Sequence, residues 1–466
     1  MSRYYFGMIT TFRRKPSLAI VTKPKYLVAV VGAGPAGLFA ARALSNAGAT
    51  VALLNRDIKP GGLAEYGIFF SKLKMKDGLR RQFQQILDIP SILYEGNITI
   101  GQKGNMSLSE LRALGFQAIM VTAGAQGTKW LGLPGEDLLG VYHAKDIVYH
   151  YNHLPPYSQQ KFLIGRRLAL IGVGNVMLDI AHWAIRYLKV DEVVAVARRG
   201  PAEVKFAKKE MEPVARNLDL GALEAELRRV TPAMQAVGQD PQAAKAYILA
   251  ALPRAEESVS QTRFRFEFLS SPSRIVGGER GEVHGLEVED TLLVPHDGGE
   301  PRAKRIGTKR LIDVDTIIFC IGDRVDESLG LPVRKNEFIK NPNPRFPVEG
   351  LSFEAYDPDL ERDIERVFVA GWSREASHGL VGVARKDGEN GAEAALQFLQ
   401  TQPELKDPQH ILDELERRLS RLEKPVVRKA DLLQLLEKER CEAQRLGLQQ
   451  FKFDTNEAML KAMGLI

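Results

Sequence analysis

The chain has 466 residues, 44% hydrophobic and 26% charged, enough for two or three globular domains. Its 64 basic and 58 acidic residues leave a net charge of +6, which favours acidic partners; the basic clusters carry no interleaved aromatics of the kind that line a nucleic-acid groove. With only Cys320 and Cys441 there is no disulfide framework, no C-x-x-C pair and no thiolate-held metal centre, so no metal site is expected.

In chain order, the first 26 residues contain no acidic side chain and include Pro16 and Pro24. They lack an amphipathic helix, so they are expected to form a flexible or docking arm, and the protein is expected in the cytoplasm. The mitochondrial matrix is the alternative if the arm is a transit peptide. The apolar run Tyr26 to Val31 then leads into Gly32-Ala33-Gly34-Pro35-Ala36-Gly37 and an amphipathic stretch. Strand, glycine turn and helix in that order form a dinucleotide loop: the glycines let a pyrophosphate approach the backbone, and the helix N-terminus supplies unpaired N–H donors. The longest apolar region, Leu27 to Leu54, is broken by these glycines, Pro35, Arg42, Asn46 and Gly48, so no membrane span is expected.

A strand over Thr50 to Leu54, a Pro60-Gly61-Gly62 loop, a basic helix from about Met75 and a strand over Ala118 to Thr122 complete a parallel-sheet unit, assigned to 27–155. A second glycine loop, Gly172-Val173-Gly174-Asn175-Val176-Met177, follows the apolar run Leu168 to Ile171 and opens a unit assigned to 156–315. That unit continues with a strand over Glu192 to Ala197, a helical insertion from about Leu218 to Ser258 and short strands. The run Thr316 to Cys320 is expected to return the chain to the first unit, over 316–406. The charged remainder, 407–466, has apolar residues at helical spacing and is expected to pack as helices on the body. The fold class is therefore α/β: two Rossmann-like, three-layer dinucleotide domains, the second inserted in the first, with a helical C-terminal tail.

The ends of the second strands distinguish the two loops. A carboxylate there would hold a ribose; the first unit has Asn55, with Asp57 two residues on, so Asn55 binds the ribose with one hydrogen bond, Asp57 substitutes, or Asn55 is a turn residue. The second unit has Arg198-Arg199, two guanidinium groups suited to a 2′-phosphate, which selects NADP over NAD. Met177 stands where a third glycine or alanine is usual, and looser packing is expected there. Two such sites imply that a flavin held by the first unit accepts hydride from a nicotinamide held by the second. A helix N-terminus after Gly379-Leu380-Val381 would stabilise negative charge on the flavin, and His378 is a candidate proton donor.

From about residue 27 onward the chain resembles adrenodoxin reductase and the bacterial ferredoxin:NADP reductases of the same glutathione-reductase-like fold. The resemblance rests on Gly32 to Gly37, Gly62-Leu63 with Gly67-Ile68, Leu133-Pro134-Gly135-Glu136-Asp137, Gly174-Asn175-Val176 with Asp179, Arg198-Arg199-Gly200-Pro201 with Phe206 and Glu210, and Gly371-Trp372 with Gly379-Leu380-Val381. It implies an FAD enzyme that passes NADPH electrons to a ferredoxin-like carrier, whose acidic surface would meet this chain's basic clusters. Those clusters are Lys72, Lys74, Lys76, Arg80 and Arg81; Lys205, Lys208 and Lys209; and Arg302, Lys304, Arg305, Lys309 and Arg310. The resemblance implies FAD contacts at Ala36, Leu63, Ile100, Trp372 and 379–381, and NADP contacts at Val173, Gly174, Asn175, Val176, Arg198, Arg199, Glu210 and Gly379. Where the family has a histidine near the flavin, this chain has Lys72, expected to form an ion pair with Asp179. The segment Tyr66 to Leu73 is also similar to the small subunit of glutamate synthase, so an electron-input subunit of a larger complex is a second possibility, and a catalytically silent nucleotide-binding scaffold a third. The oligomeric state is left open.

Overall fold

The computed structural model describes residues 24–296, 299–377 and 379–466. Expectations for the arm before residue 24 and for His378 lie outside the described residues.

The chain enters the first domain through β1 (Tyr26–Val31), α1 (Pro35–Asn46), β2 (Ala49–Asn55), α2 (Leu63–Tyr66), α3 (Leu73–Leu87), β3 (Ile92–Gly96), α4 (Leu108–Ala113) and β4 (Ala118–Val121). Every residue of β1 and β2 is buried, as expected of parallel strands covered on both faces. Alternate side chains serve opposite layers: Val28, Val30, Val51 and Leu53 pack with Leu38 and Phe39 of α1, whereas Leu27, Ala29, Ala52 and Leu54 pack with Leu108 and Leu111 of α4. Two later strands, β17 (Glu354–Asp357) and β18 (Arg362–Val369), complete the sheet in the order β17-β18-β4-β1-β2-β3.

A two-stranded antiparallel ribbon carries the chain between domains: it leaves through β5 (Gly127–Thr128) and returns through β14 (Asp323–Arg324). Between them lie β6 (Val141–His143), α5 (Ala144–Tyr151), β7 (Arg167–Ile171), α6 (Asn175–Trp183), β8 (Glu192–Val196), α7 (Leu220–Gln235), α8 (Pro241–Leu249) and β9 (Arg263–Glu267). There follow β10 (Ser270–Gly277), β11 (Val283–Val294), β12 (Arg302–Asp313) and β13 (Thr316–Phe319). The second sheet, β6-β13-β7-β8-β9, is parallel throughout, and the antiparallel meander β10-β11-β12 covers one of its faces through Ile275, Leu286, Val288 and Ile312.

This topology corrects two sequence expectations. The run Thr316–Phe319 does not return to the first sheet; it pairs with β7 and β6 in the second. Strand β6, assigned by sequence to the first unit, joins the second sheet as well. The crossings therefore fall at the 127–128 and 323–324 ribbon rather than at 155 and 316.

Beyond a small hairpin of β15 (Val333–Arg334) and β16 (Glu337–Phe338), the C-terminal part supplies α9 (Val381–Gln400), α10 (Pro408–Leu419), α11 (Lys429–Leu446) and α12 (Asn456–Ala462). Helix α9 lies so close to α1 that a Cβ on Gly388 would stand 2.2 Å from the Ala36 carbonyl oxygen. The tail helices pack on both layers of the first domain: Leu412, Leu415 and Leu419 on one, Leu432, Leu435, Met459 and Leu460 on the other. Among the described residues no helix is long and apolar enough to cross a membrane, and no group of three or more His, Cys, Asp or Glu is placed to hold a metal ion.

Candidate functional site

Both glycine loops open at the C-terminal ends of parallel strands. At the first, Gly32 has φ +107° and a Cβ there would lie 2.6 Å from the Thr122 carbonyl oxygen; one on Gly37 would lie 1.9 Å from that of Gly32. The Thr122 hydroxyl donates to the Gly32 carbonyl oxygen (2.8 Å), tying β4 to the turn. At the second, Gly172 has φ +119° and a Cβ would meet the Cys320 carbonyl oxygen at 2.5 Å. The middle glycines differ: around Gly34 and Gly174, which precede α1 and α6, a Cβ would find no atom within 4 Å. Neither helix has a side-chain cap or an acidic residue in its first turn. Two helix N-termini with unpaired donors thus face open space, the arrangement a pyrophosphate requires. Met177 is fully buried in the second core, so its longer side chain fills that position rather than loosening it.

The elements around the first loop include most residues expected to meet FAD. Ala36 is buried in α1, and Gly62, at φ +48°, brings Leu63 beside the loop, a Cβ on Gly62 being 3.2 Å from the Gly34 Cα. Ile100 is buried and bridges to Met106. Trp372 lies on a 3-10 turn over 371–373, and Gly379 and Leu380 are exposed just before α9, whose first turn, beginning at Val381, carries no acid. Behind this turn Arg374 is buried against Asp387 (2.5 Å), which also accepts from the Gly371 N–H (2.6 Å).

Asn55 is bonded within its own turn. Its Oδ1 accepts from the Ala33 N–H (3.0 Å), and its Nδ2 donates to the carbonyl oxygens of Asp57 (2.8 Å) and Lys59 (3.1 Å). The buried amide is thus committed to holding the 55–59 turn against the glycine loop, work that needs a donor and an acceptor on one side chain. Asp57 is the neighbouring carboxylate, paired with Arg56 at 2.9 Å.

At the second loop, Val176 is exposed, the Asn175 Oδ1 accepts from the Ala207 N–H (2.7 Å), and the Val173 carbonyl accepts from the Lys205 N–H (2.9 Å). Arg198 is exposed and Arg199 half-buried directly after β8. One charged residue here carried no sequence signal: Glu300 pairs with Arg199 and, at 2.6 Å, with Lys205.

Where the two domains meet, Lys72 at the start of α3 pairs with Glu210 (2.5 Å) and lies 3.7 Å from Asp179 of α6. The expected Lys72–Asp179 pair is therefore present, and Glu210 is joined to it. Burial pushes the Asp179 carboxyl up to about 7 against the opposing pull of Lys72. Phe69, three residues before Lys72, inserts into the second core and stacks on His182 (centroids 4.1 Å).

The first basic cluster is largely internal rather than a docking face. Lys76 is buried and donates to the Asn152 side chain, Arg80 is paired with Glu65 at 2.7 Å, and Lys72 belongs to the interdomain triad; only Lys74 and Arg81 of the five are exposed. In the third cluster Lys309 pairs with Glu287 (3.0 Å) and Arg310 with Glu267 (2.7 Å), whereas Arg302 and Lys304 are exposed.

Fold and site together define an α/β oxidoreductase with tandem dinucleotide domains. Residues 26–218 match the family model described as pyridine nucleotide-disulphide oxidoreductase. The chain is 28% identical over 401 residues to NADPH-ferredoxin reductase FprA of Mycobacterium leprae (80% of this chain, 84% of that protein). It is 27% identical over 387 residues to the mitochondrial NADPH:adrenodoxin oxidoreductase of Arabidopsis thaliana (76% and 78%). The structure of FprA, a Mycobacterium tuberculosis oxidoreductase, superposes with a TM-score of 0.77 at 25% identity, covering 95% of this chain and all of that one. Over most of its length the chain is thus similar to NADPH-ferredoxin and NADPH:adrenodoxin reductases, and it is a flavin oxidoreductase that uses FAD and NADP(H).

Proposed function

We propose that the chain is an FAD-dependent reductase that takes hydride from NADPH at the second loop and passes electrons from the first to an acidic, ferredoxin-like one-electron carrier. The observation that carries this reading is the pair of uncapped helix N-termini facing open space at Gly34 and Gly174, with two arginines following the second strand only. Bound FAD supplies the conversion of a two-electron hydride into single electrons.

The chain's own residues bind and orient. The donors at the start of α1 hold the FAD pyrophosphate, with Ala36, Leu63, Ile100 and Trp372 against the cofactor, and Asp57 in place of Asn55 at the ribose. The uncapped start of α9, after Gly379 and Leu380, sets a partial positive charge where the flavin gains negative charge. The start of α6 with Val173, Asn175 and Val176 holds the NADPH pyrophosphate, and Arg198 and Arg199 take its 2′-phosphate. Lys72, held by Asp179 and Glu210 from the other domain, positions the two domains on one another. The exposed Lys74, Arg81, Lys208, Lys209, Arg302 and Lys304 are the cations left for an acidic carrier.

The test is anaerobic mixing of the purified, FAD-loaded protein with NADPH and then with a [2Fe–2S] ferredoxin. The reading requires flavin bleaching by NADPH and reoxidation by ferredoxin that slows as salt rises. A protein that holds no FAD, or one that NADPH leaves oxidised, would contradict it.

A further inference from the structure

The second nucleotide site contains a carboxylate of its own. Glu300 lies just before β12 and reaches across to Arg199 and, at 2.6 Å, to Lys205. Its position follows from how the meander is anchored. The Thr291 hydroxyl of β11 donates to the Arg198 carbonyl oxygen (2.7 Å), the Leu269 N–H donates to the Arg199 carbonyl (3.1 Å), and Leu293 packs 3.5 Å from where a Gly200 Cβ would be. Lys205 is fixed from the other side, its N–H donating to the Val173 carbonyl within the glycine loop. Two cations, Arg199 and Lys205, therefore meet at the end of β8 beside the exposed Arg198, and a single half-exposed carboxylate bridges them. Carboxylates and phosphates compete for the same guanidinium and ammonium donors.

We infer that Lys205 is a third ligand for the cofactor's 2′-phosphate, and that Glu300 is an internal competitor which the 2′-phosphate displaces from Arg199 and Lys205. This rests on the NADP reading of the second loop and adds two specificity-determining residues to it. A competing carboxylate penalises only a ligand that carries the 2′-phosphate, so it narrows the preference for NADPH over NADH and keeps NADP⁺ release from becoming slow. Among the described residues, Glu300 forms its ion pairs with Arg199 and Lys205.

The experiment is titration calorimetry of the FAD-loaded full chain with adenosine 2′,5′-bisphosphate and with adenosine 5′-monophosphate, which need no turnover. Half-exposed ion pairs are individually weak, so Glu300→Gln should tighten the bisphosphate by about threefold and leave the monophosphate unchanged. In that background Lys205→Met should loosen the bisphosphate by about fivefold, again with no change for the monophosphate. Equal or weaker bisphosphate binding in Glu300→Gln would overturn the competition, and indifference to Lys205→Met would overturn the third ligand. If the unsubstituted protein itself does not prefer the bisphosphate, the NADP reading fails first, a result distinguishable from failure of the Glu300 inference alone.

Discussion

An amide at position 55 does something a carboxylate cannot: it accepts from the Ala33 N–H while donating to two carbonyl oxygens of its own turn. Replacing it by a carboxylate would leave the Asp57 and Lys59 carbonyls facing an anion. Asn55→Asp is therefore expected to cost about 2 kcal/mol of stability in urea unfolding and to loosen FAD, because the turn beneath the glycine loop distorts. Were Asn55 instead a weak ribose ligand, the acid would tighten FAD. The position was legible in the sequence, being two residues before Asp57 at a strand end; the role was not. It depends on Lys59, Tyr94 and Ala33, which only the folded turn brings around the amide. Charge was equally opaque residue by residue: Lys76 and Lys74 look alike in the sequence, yet one is buried and the other exposed.

At the scale of elements, both strand–turn–helix units were legible because their signal is local: apolar run, glycines and amphipathic helix follow within a few residues. The same loop contains glycines with opposite duties. Gly37 is needed by the fold, since any Cβ there collides with the Gly32 carbonyl, whereas Gly34, at φ −77° with open space around it, is needed only by a ligand. Gly37→Ala is expected to destabilise the protein by about 3 kcal/mol or more. Gly34→Ala should fold with unchanged unfolding midpoint and yet purify with little FAD; full retention of flavin would sink the pyrophosphate assignment. Strand β13 was misplaced because Thr316–Phe319, fully buried, suits the interior of either sheet. Its partners, β6 and β7, are remote in sequence, and nothing in four apolar residues selects between sheets.

For the whole molecule, the C-terminal tail closes a buried charge cluster that spans both domains. Lys452 pairs with Glu65 (2.7 Å) and donates to the Asn152 carbonyl (3.2 Å), Lys59 pairs with Glu439 of α11 (2.6 Å), and Ser158 and Gln159 bond the Asp454 carbonyl. Burial, with Lys452 as a further cationic neighbour, lowers Lys76 from 10.5 to about 7; burial lowers Lys452 to about 8. A lysine whose folded pKa is depressed binds fewer protons in the folded than in the unfolded chain between those two values. Its stabilising contribution is present above 10.5 and lost as pH falls through about 7 for Lys76. Denaturant titrations from about pH 6 to about pH 9 should therefore show the unsubstituted protein gaining about 1–2 kcal/mol over Lys76→Met as pH rises. A constant difference across that range would mean that the Lys76 ammonium is not desolvated in the folded state.

The central claim is directional: electrons enter at the second loop from a nucleotide marked by its 2′-phosphate and leave through a flavin at the first. The most direct test is anaerobic stopped-flow reduction of the flavin by NADPH and by NADH, in the unsubstituted protein and in Arg198→Ala/Arg199→Ala. Two charge-assisted contacts correspond to a preference for NADPH of about a hundredfold in the apparent second-order rate constant. The account predicts that the double substitution removes most of this preference while the NADH rate stays nearly unchanged. Equal losses for both nucleotides, or no preference to begin with, would contradict it.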